Sequence, residues 1–191
     1  MNKVRTAIFG GSFDPIHAGH VALACAVRDN GLADEVWLLV TPLNPHKQGN
    51  NLTDEDERLA MSRLAIAGEQ GVVASDFEFH LPRPSYTINT LEALQKAFPD
   101  REFLLLMGAD NWRKIDRWYK GDEIVSRFGI IVYPRGDESA PTLPENVKWL
   151  QAPLYDISST EIRHAFSVGE DVSQWLHPDV VKYIKEKNLY L

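Results

Sequence analysis

The chain has 191 residues, of which 44% are hydrophobic and 25% are charged, and it contains one cysteine. A single cysteine excludes an internal disulfide, and a chain of this length buries roughly 70% of its unfolded surface without one. The 20 basic and 27 acidic residues give a formal net charge of −7, which disfavours sequence-independent binding to nucleic-acid backbones. Neither a run of 18 apolar residues nor a secretory signal is found. We therefore expect one cytoplasmic domain over residues 1–191 that binds neither nucleic acid nor membranes.

The predicted elements alternate between strands and helices. Val4 to Phe9 is an apolar run closed by Gly10-Gly11, and a helical pattern follows from Gly19 to Asn30. The later elements are a strand over 35–41, a helix with Thr53 as N-cap and an apolar stripe to Ala67, a strand over 72–79, a helix from near Thr87, a strand over 103–107, a short helix over 123–127, strands over 129–133 and 147–151, a helix from Ser158 or Ser159, and a helix over 177–187.

Most of these strands are continuous apolar runs rather than alternating patterns, which is typical of strands covered on both faces. The alternation of strand and helix predicts an α/β fold, a Rossmann-like doubly wound parallel sheet with helices on both faces, in a single domain with C-terminal helices. Ligands of such sheets bind at the carboxyl ends of the strands. We therefore expect the functional residues in four segments, 10–20, 41–47, 108–110 and 157–163.

The first of these segments joins the first strand to the first helix. Its glycines allow close backbone approach to a ligand, and the opening turn of a helix offers N–H groups to a phosphate. His17 and His20 lie three residues apart and can reach the same anion. A tight turn with two partly exposed histidines is the simpler alternative, and a zinc site lacks a third ligand at a usual spacing, so no metal ligand is assigned. The dinucleotide fingerprint G-x-G-x-x-G is absent.

The second segment with chemical character runs from Asp156 to Arg163. Ser158 and Glu161 fit a capping box, so an ordinary helix start explains them equally well. Arg163 lies about one turn into that helix, where its guanidinium can bind an anion held at the helix N-terminus.

Together the two segments resemble the nucleotidyltransferase superfamily, whose marks are an H-x-G-H turn and an I-S-S-T-x-I-R segment. Within it, the chain is most similar to the nicotinate-nucleotide adenylyltransferases, and the likeness covers essentially the whole chain. The supporting segments are Gly10 to His20, Asn44-Pro45-His46-Lys47, Ser85-Tyr86-Thr87 with Thr90-Leu91, Gly108-Ala109-Asp110 and Arg117-Trp118.

The resemblance implies that the phosphate of nicotinate mononucleotide attacks the α-phosphorus of ATP and releases pyrophosphate in NAD biosynthesis. The implied catalytic residues are His17, His20, Lys47 and Arg163, with Mg²⁺ bound through the ATP phosphates as the cofactor. Asp110 would orient either the metal waters or the ribose. The implied ATP-binding residues are Gly10, Gly11, Ser12, Phe13, His17, His20, Gly108, Asp110, Ile157, Ser158, Ser159 and Arg163.

For the second substrate, the resemblance implies Lys47, Tyr86, Thr87 and Trp118 as the residues that bind nicotinate mononucleotide, with aromatic faces suited to a flat, positively charged pyridinium ring. Pantetheine-phosphate adenylyltransferase is the nearest alternative enzyme, although it usually has Thr at the position of His17. A nucleotide-binding sensor without turnover is the alternative from another class. The expected partners are ATP and the mononucleotide, and the sequence leaves open whether the chain forms a homo-oligomer.

Overall fold

In the computed structural model, which describes residues 3–42, 52–134, 140–152 and 157–190, strands and helices alternate along the chain. The strands are β1 (Val4–Gly11), β2 (Glu35–Val40), β3 (Val72–Ser75), β4 (Arg101–Gly108), β5 (Gly129–Tyr133) and β6 (Val147–Trp149). The helices are α1 (Ala18–Asp29), α2 (Glu55–Ala65), α3 (Thr87–Ala97), α4 (Ala109–Trp112), α5 (Gly121–Arg127), α6 (Ser159–Ser167) and α7 (Pro178–Lys187), with short 3-10 helices at Phe77–His80 and Ile115–Arg117.

All six strands form one parallel sheet in the order β3-β2-β1-β4-β5-β6. The strand order reverses between β1 and β4, which are neighbours in the sheet and pair at Ile8 and Leu105. After β1 the chain continues to β2 on one side, and after β4 it continues to β5 on the other side. Such a switch point opens a crevice at the carboxyl ends of the two strands. The predicted α/β doubly wound sheet is confirmed, and the site is expected between the β1–α1 connection and the end of β4.

The two faces of the sheet carry separate hydrophobic layers because neighbouring strand residues point in opposite directions. Ala7 and Phe9 pack on the face covered by α1, α2, α6 and α7. Ile8 and Leu105 pack on the other face, under α3 and α5. No helix of the described residues is long and apolar enough to cross a bilayer. The helices of both layers lead back to the same edge of the sheet, where the predicted functional segments lie.

Most predicted elements begin and end within two residues of the observed ones, but the strand over 72–79 was predicted too long. It ends at Ser75, whose Oγ accepts the backbone N–H of Phe77 at 3.2 Å and starts a 3-10 helix. The N-cap of α2 was also wrong by one residue. Asp54, not Thr53, accepts the N–H of Asp56 at 2.9 Å, whereas the Thr53 carbonyl accepts the Arg58 guanidinium. The short helix α4 after β4 was not predicted.

Candidate active site

The β1–α1 loop turns sharply where Phe13 adopts a φ of 47°, in the left-handed region. This turn brings the Phe13 ring onto Gly11, so that a Cβ added at Gly11 would lie 2.9 Å from the ring. The chain can make this close approach only with glycine at position 11. The turn then directs Asp14 to Ile16 into the interior, where all three residues are buried.

His17 and His20 lie together at the start of α1. Their ring centroids are 3.7 Å apart, and the His17 backbone N–H donates to Nδ1 of His20 at 3.2 Å. Because Nδ1 of His20 accepts, the neutral ring carries its proton on Nε2 and is a donor there. The His20 ring also packs edge-on against Phe13 at 5.0 Å between centroids. The two imidazoles thus form one unit supported by the loop that precedes them.

The expectation that the opening turn of α1 offers several unpaired N–H groups needs correction. The N–H of Ala18, the first residue of the helix, donates to the Trp175 carbonyl at 2.8 Å. One of the backbone donors is therefore used to attach the C-terminal region to the helix start. An anion at this end of α1 would depend correspondingly more on the histidine side chains.

Helix α6 contacts the β1–α1 loop directly, although the two are separated by more than 140 residues. Nη1 of Arg163 donates to the Asp14 carbonyl at 2.6 Å, and the Ser159 hydroxyl donates to the Pro15 carbonyl at 2.9 Å. The predicted capping box is present: the Ser158 N–H donates to Glu161 Oε2 at 2.8 Å, and the Glu161 N–H donates to Ser158 Oγ at 3.2 Å. The ordinary helix cap and the placement of Arg163 beside the loop therefore occur together.

A buried arginine lies beneath this loop. Arg58 of α2 is 1% exposed, and its guanidinium donates to the carbonyls of Ser12 at 2.7 Å, Thr41 at 2.9 Å and Thr53 at 2.7 Å. Burial lowers the pKa of Arg58, and the nearby Asp14 carboxylate opposes that shift. Arg58 thus ties the β1–α1 loop to the end of β2 and to the segment before α2.

A cavity of about 480 Å³ opens beside the loop, at the carboxyl ends of β1 and β4. The rings of Tyr86 and Tyr119 contact each other beside it at a tilt of 42°, with ring centroids 4.8 Å apart, and Trp118 also lines the cavity. Six of the predicted residues line the cavity: Gly10, Gly11, Tyr86, Thr87, Gly108 and Trp118. A wall that combines aromatic and aliphatic side chains with polar groups is typical of a small-molecule site.

The polar groups of this cavity wall are incompletely bonded within the described part of the chain. Oε1 of the buried Glu78 accepts the Thr90 hydroxyl at 2.7 Å. Glu78 Oε2, Thr41 Oγ1 and Ser85 Oγ are buried without a hydrogen-bond partner among the described residues, and all three residues line the cavity. Burial raises the pKa of Glu78 to about 7, because the carboxylate is removed from water.

The other predicted residues are distributed around these two regions. Ser12 and Phe13 belong to the β1–α1 loop, and Ile157 packs against the hydrophobic layer below it. Asp110, in α4, forms an ion pair with Arg113. Lys47 lies outside the described residues, as do the whole Asn44 to Lys47 segment and Asp156.

The sequence did not single out Arg58, Glu78, Tyr119 or Tyr190. Tyr119 adjoins the predicted Trp118, so the aromatic pair itself was an available signal. Arg58 and Tyr190 find their partners far along the chain, and no local pattern in the sequence marks such pairs. Glu78 stands in the stretch over 72–79 that was predicted as a strand, which hid its place in the cavity wall.

Comparisons with known proteins agree with this architecture. The cytidylyltransferase-like family model matches residues 8–165. A Bacteroides fragilis protein named probable nicotinate-nucleotide adenylyltransferase is 49% identical over 96% of this chain and 92% of its own length. A Bacteroides thetaiotaomicron protein of the same name is 46% identical over 97% and 93%.

Among solved structures, the nicotinic acid mononucleotide adenylyltransferase of Plasmodium falciparum complexed with NaAD superimposes with a TM-score of 0.80. The match covers 98% of this chain and 97% of that one at 23% identity, which supports the likeness of fold. The family-model match and the two Bacteroides relatives place the sequence more narrowly. The chain belongs to the cytidylyltransferase-like family and, within it, to the nicotinate-nucleotide adenylyltransferases.

Proposed function

We propose that this chain transfers the adenylyl group of ATP to nicotinate mononucleotide, giving nicotinate adenine dinucleotide and pyrophosphate. The observation that carries the proposal is the contact of Arg163 and Ser159 with the loop that leads to His17 and His20, beside an aromatic-lined cavity. The two segments that we propose to bind the phosphates thus meet beside the aromatic-lined cavity at the switch point of the sheet. Family membership favours the same substrates.

In this reaction a phosphate oxygen of the mononucleotide forms a bond to the α-phosphorus of ATP. The bond from that phosphorus to the bridging oxygen breaks, and pyrophosphate leaves with the electron pair. The two reacting groups are both anionic, so the protein has to align them and stabilise charge that develops in the transition state. This direct displacement requires no covalent enzyme intermediate.

The triphosphate would lie along the β1–α1 loop. His20 would donate from Nε2, since its Nδ1 already accepts the His17 N–H. Arg163 would add a guanidinium from α6, and Lys47 would add positive charge from the loop after β2. Ile157 and Ser158 would border the adenine, and Ser159 would lie near the phosphates. These donors replace water around the phosphates without having to reorganise during the reaction.

The phosphates themselves would carry Mg²⁺, whose preferred ligands are hard oxygen atoms. Bound there, the ion would reduce the negative charge that the attacking phosphate meets. Within the described residues there is no group of three or more His, Cys, Asp or Glu side chains that could hold a metal ion. Asp110 would orient either the waters of the metal or the ribose.

The mononucleotide would occupy the aromatic cavity. Trp118 and Tyr86 offer faces for the positively charged pyridinium ring. At the start of α3, the first N–H bonded inside the helix is that of Thr90, which donates to the Tyr86 carbonyl at 3.1 Å. The N–H groups of Thr87 to Asn89 therefore have no acceptor within the helix and suit the nicotinate carboxylate.

A pyrophosphate-release assay tests this function. ATP would be combined in turn with nicotinate mononucleotide, nicotinamide mononucleotide and phosphopantetheine, and CTP would replace ATP in a matched series. We expect the highest kcat/KM with ATP and nicotinate mononucleotide. Pyrophosphate release from ATP with phosphopantetheine but with neither mononucleotide would establish the alternative enzyme. ATP binding without pyrophosphate release in the presence of any acceptor would establish a sensor.

A further inference from the structure

The segment after α7 returns to the β1–α1 loop and places a phenol beneath it. Asn188 and Tyr190 both have left-handed backbone conformations, with φ of 53° and 62°. Asn188 is an ordinary left-handed helix cap, whereas this conformation is unfavourable for a tyrosine and persists when surrounding contacts hold it. Here the Tyr190 ring packs against the hydrophobic layer that also holds Phe9 and Phe13.

The hydroxyl of Tyr190 donates to Oδ1 of Asp14 at 2.5 Å. Oδ2 of the same carboxylate lies 3.4 Å from the N–H of Thr53, the second group that orients it. Asp14 is 1% exposed, so water contributes little to fixing this carboxylate. Burial and the Asp14 charge raise the pKa of Tyr190, which keeps the hydroxyl a donor.

The orientation of Asp14 matters because Arg163 is its neighbour. Nη1 of Arg163 binds the Asp14 carbonyl at 2.6 Å but lies 3.9 Å from carboxylate Oδ2, at the limit of an ion pair. A carboxylate free to rotate could form a closer, charge-assisted pair with the same guanidinium. That pair would compete with an anionic ligand for Arg163.

We propose that Tyr190 is a positioning residue for the triphosphate site: its hydroxyl holds the Asp14 carboxylate in an orientation that leaves the Arg163 guanidinium available to the ATP phosphates. This inference rests on the proposed function for its ligand. In this proposal the segment after α7 affects nucleotide binding indirectly, because Tyr190 orients Asp14 and Asp14 in turn affects Arg163.

Tyr183 provides a matched control. Its hydroxyl donates to Oε2 of Glu57 at 2.5 Å, so it is another tyrosine of the same C-terminal region that is bonded to a carboxylate at the same distance. Glu57 has Lys187 as a second partner at 3.2 Å. Tyr183→Phe therefore removes an equivalent hydrogen bond between α7 and α2 without altering Asp14.

The experiment measures ATP binding by calorimetry in the wild type, Tyr190→Phe, Tyr183→Phe, Asp14→Asn and the Tyr190→Phe/Asp14→Asn double variant, with melting temperatures for all five. The Kd for ATP should rise about tenfold in Tyr190→Phe, the size of one hydrogen bond to a charged group, and stay within about twofold in Tyr183→Phe. Asp14→Asn removes the charge that competes for Arg163, so the added Tyr190→Phe change should then have little effect. The Kd of the double variant should lie within about twofold of the Kd of Asp14→Asn alone.

Kinetics add a second readout. In Tyr190→Phe the KM for ATP should rise while the KM for nicotinate mononucleotide stays unchanged. A Tyr190→Phe protein that binds ATP as tightly as Tyr183→Phe would overturn the proposal, and so would a double variant that remains as weak as Tyr190→Phe. Because calorimetry needs no turnover, failure to release pyrophosphate would count against the proposed function, whereas these binding results judge the role of Tyr190.

Discussion

The two halves of the candidate site are built in opposite ways. On the side of the β1–α1 loop, His17, His20 and Arg163, which is proposed to bind the triphosphate and is called the phosphate side below, Asp14 and Arg58 are almost completely buried and have several hydrogen-bond partners each. On the cavity side, Glu78, Thr41 and Ser85 each bury a polar atom that has no partner among the described residues. Several hydrogen bonds fix the backbone around Asp14 and Arg58 before any ligand arrives, whereas unpaired buried atoms carry a desolvation cost. Asp14 and Arg58 are thus held by their own hydrogen bonds, whereas the buried Glu78 carboxylate on the cavity side is unfavourable when it is charged.

The largest expected effect concerns the phosphate side. Arg58→Met would leave the carbonyls of Ser12, Thr41 and Thr53 without their buried donor, and should lower the free energy of unfolding by about 4 kcal/mol. Urea denaturation measures this loss. Arg63→Met on the exposed face of the same helix is the control and should change stability by less than about 0.5 kcal/mol. A loss below about 1 kcal/mol for Arg58→Met would contradict the preorganised loop.

The cavity side should show its cost as a pH dependence. Glu78 has its pKa raised from 4.5 to about 7, so the unfolded chain loses this proton at lower pH than the folded chain does. The neutral carboxyl contributes stability fully below pH 4.5, and that contribution is lost as the pH rises to about 7. Relative to the wild type, the free energy of unfolding of Glu78→Gln should therefore rise by about 3 kcal/mol between pH 4 and pH 8.

Chemical denaturation at several pH values measures this difference. Glu186→Gln, on the exposed part of α7, should show no comparable trend. A constant difference between Glu78→Gln and the wild type across this range would show that the cavity wall imposes no such cost.

His20→Ala tests whether the preorganised side serves the reaction. Loss of this donor should lower kcat/KM by about a hundredfold, equivalent to about 2.7 kcal/mol of transition-state stabilisation. Steady-state pyrophosphate release measures it. His80→Ala is the control, since the His80 side chain is 75% exposed and ends a 3-10 helix away from α1. A loss of only a few-fold in His20→Ala would rule out a phosphate-binding role.

Trp118→Ala should produce the smallest effect and separates the two sides. Removing one aromatic face from the cavity should raise the KM for nicotinate mononucleotide by about tenfold, close to 1.4 kcal/mol. The KM for ATP serves as the internal control and should not change. Equal increases in both constants would show that the two halves are not independent.

Much of the phosphate side could be predicted because its signals are local. The spacing of Ser158 and Glu161 alone predicts a helix start, and the glycines before His17 predict a tight turn. The structure brings these two segments into contact, as the parallel-sheet prediction required. The sheet itself could be predicted because its strands are continuous apolar runs, as expected for strands that are buried on both faces.

The rest depends on contacts that leave no local pattern. Arg58 stands next to Leu59 and Met61 in α2, and only the tertiary fold shows that its guanidinium meets three carbonyls. The 72–79 stretch was predicted as one strand, yet Phe77 and Phe79 pack against different hydrophobic layers from a 3-10 helix. Packing chose between two local conformations that the sequence pattern alone did not distinguish.

The bond between Tyr190 and Asp14 joins positions 176 residues apart. A ribosome adding about 5 to 20 residues per second needs roughly 9 to 35 s to make the intervening polypeptide. During that time β1 and α1 have emerged, but the partner that steadies the loop between them has not been synthesised. The hydrogen bond that orients the Asp14 carboxylate can therefore form only after position 190 has been synthesised.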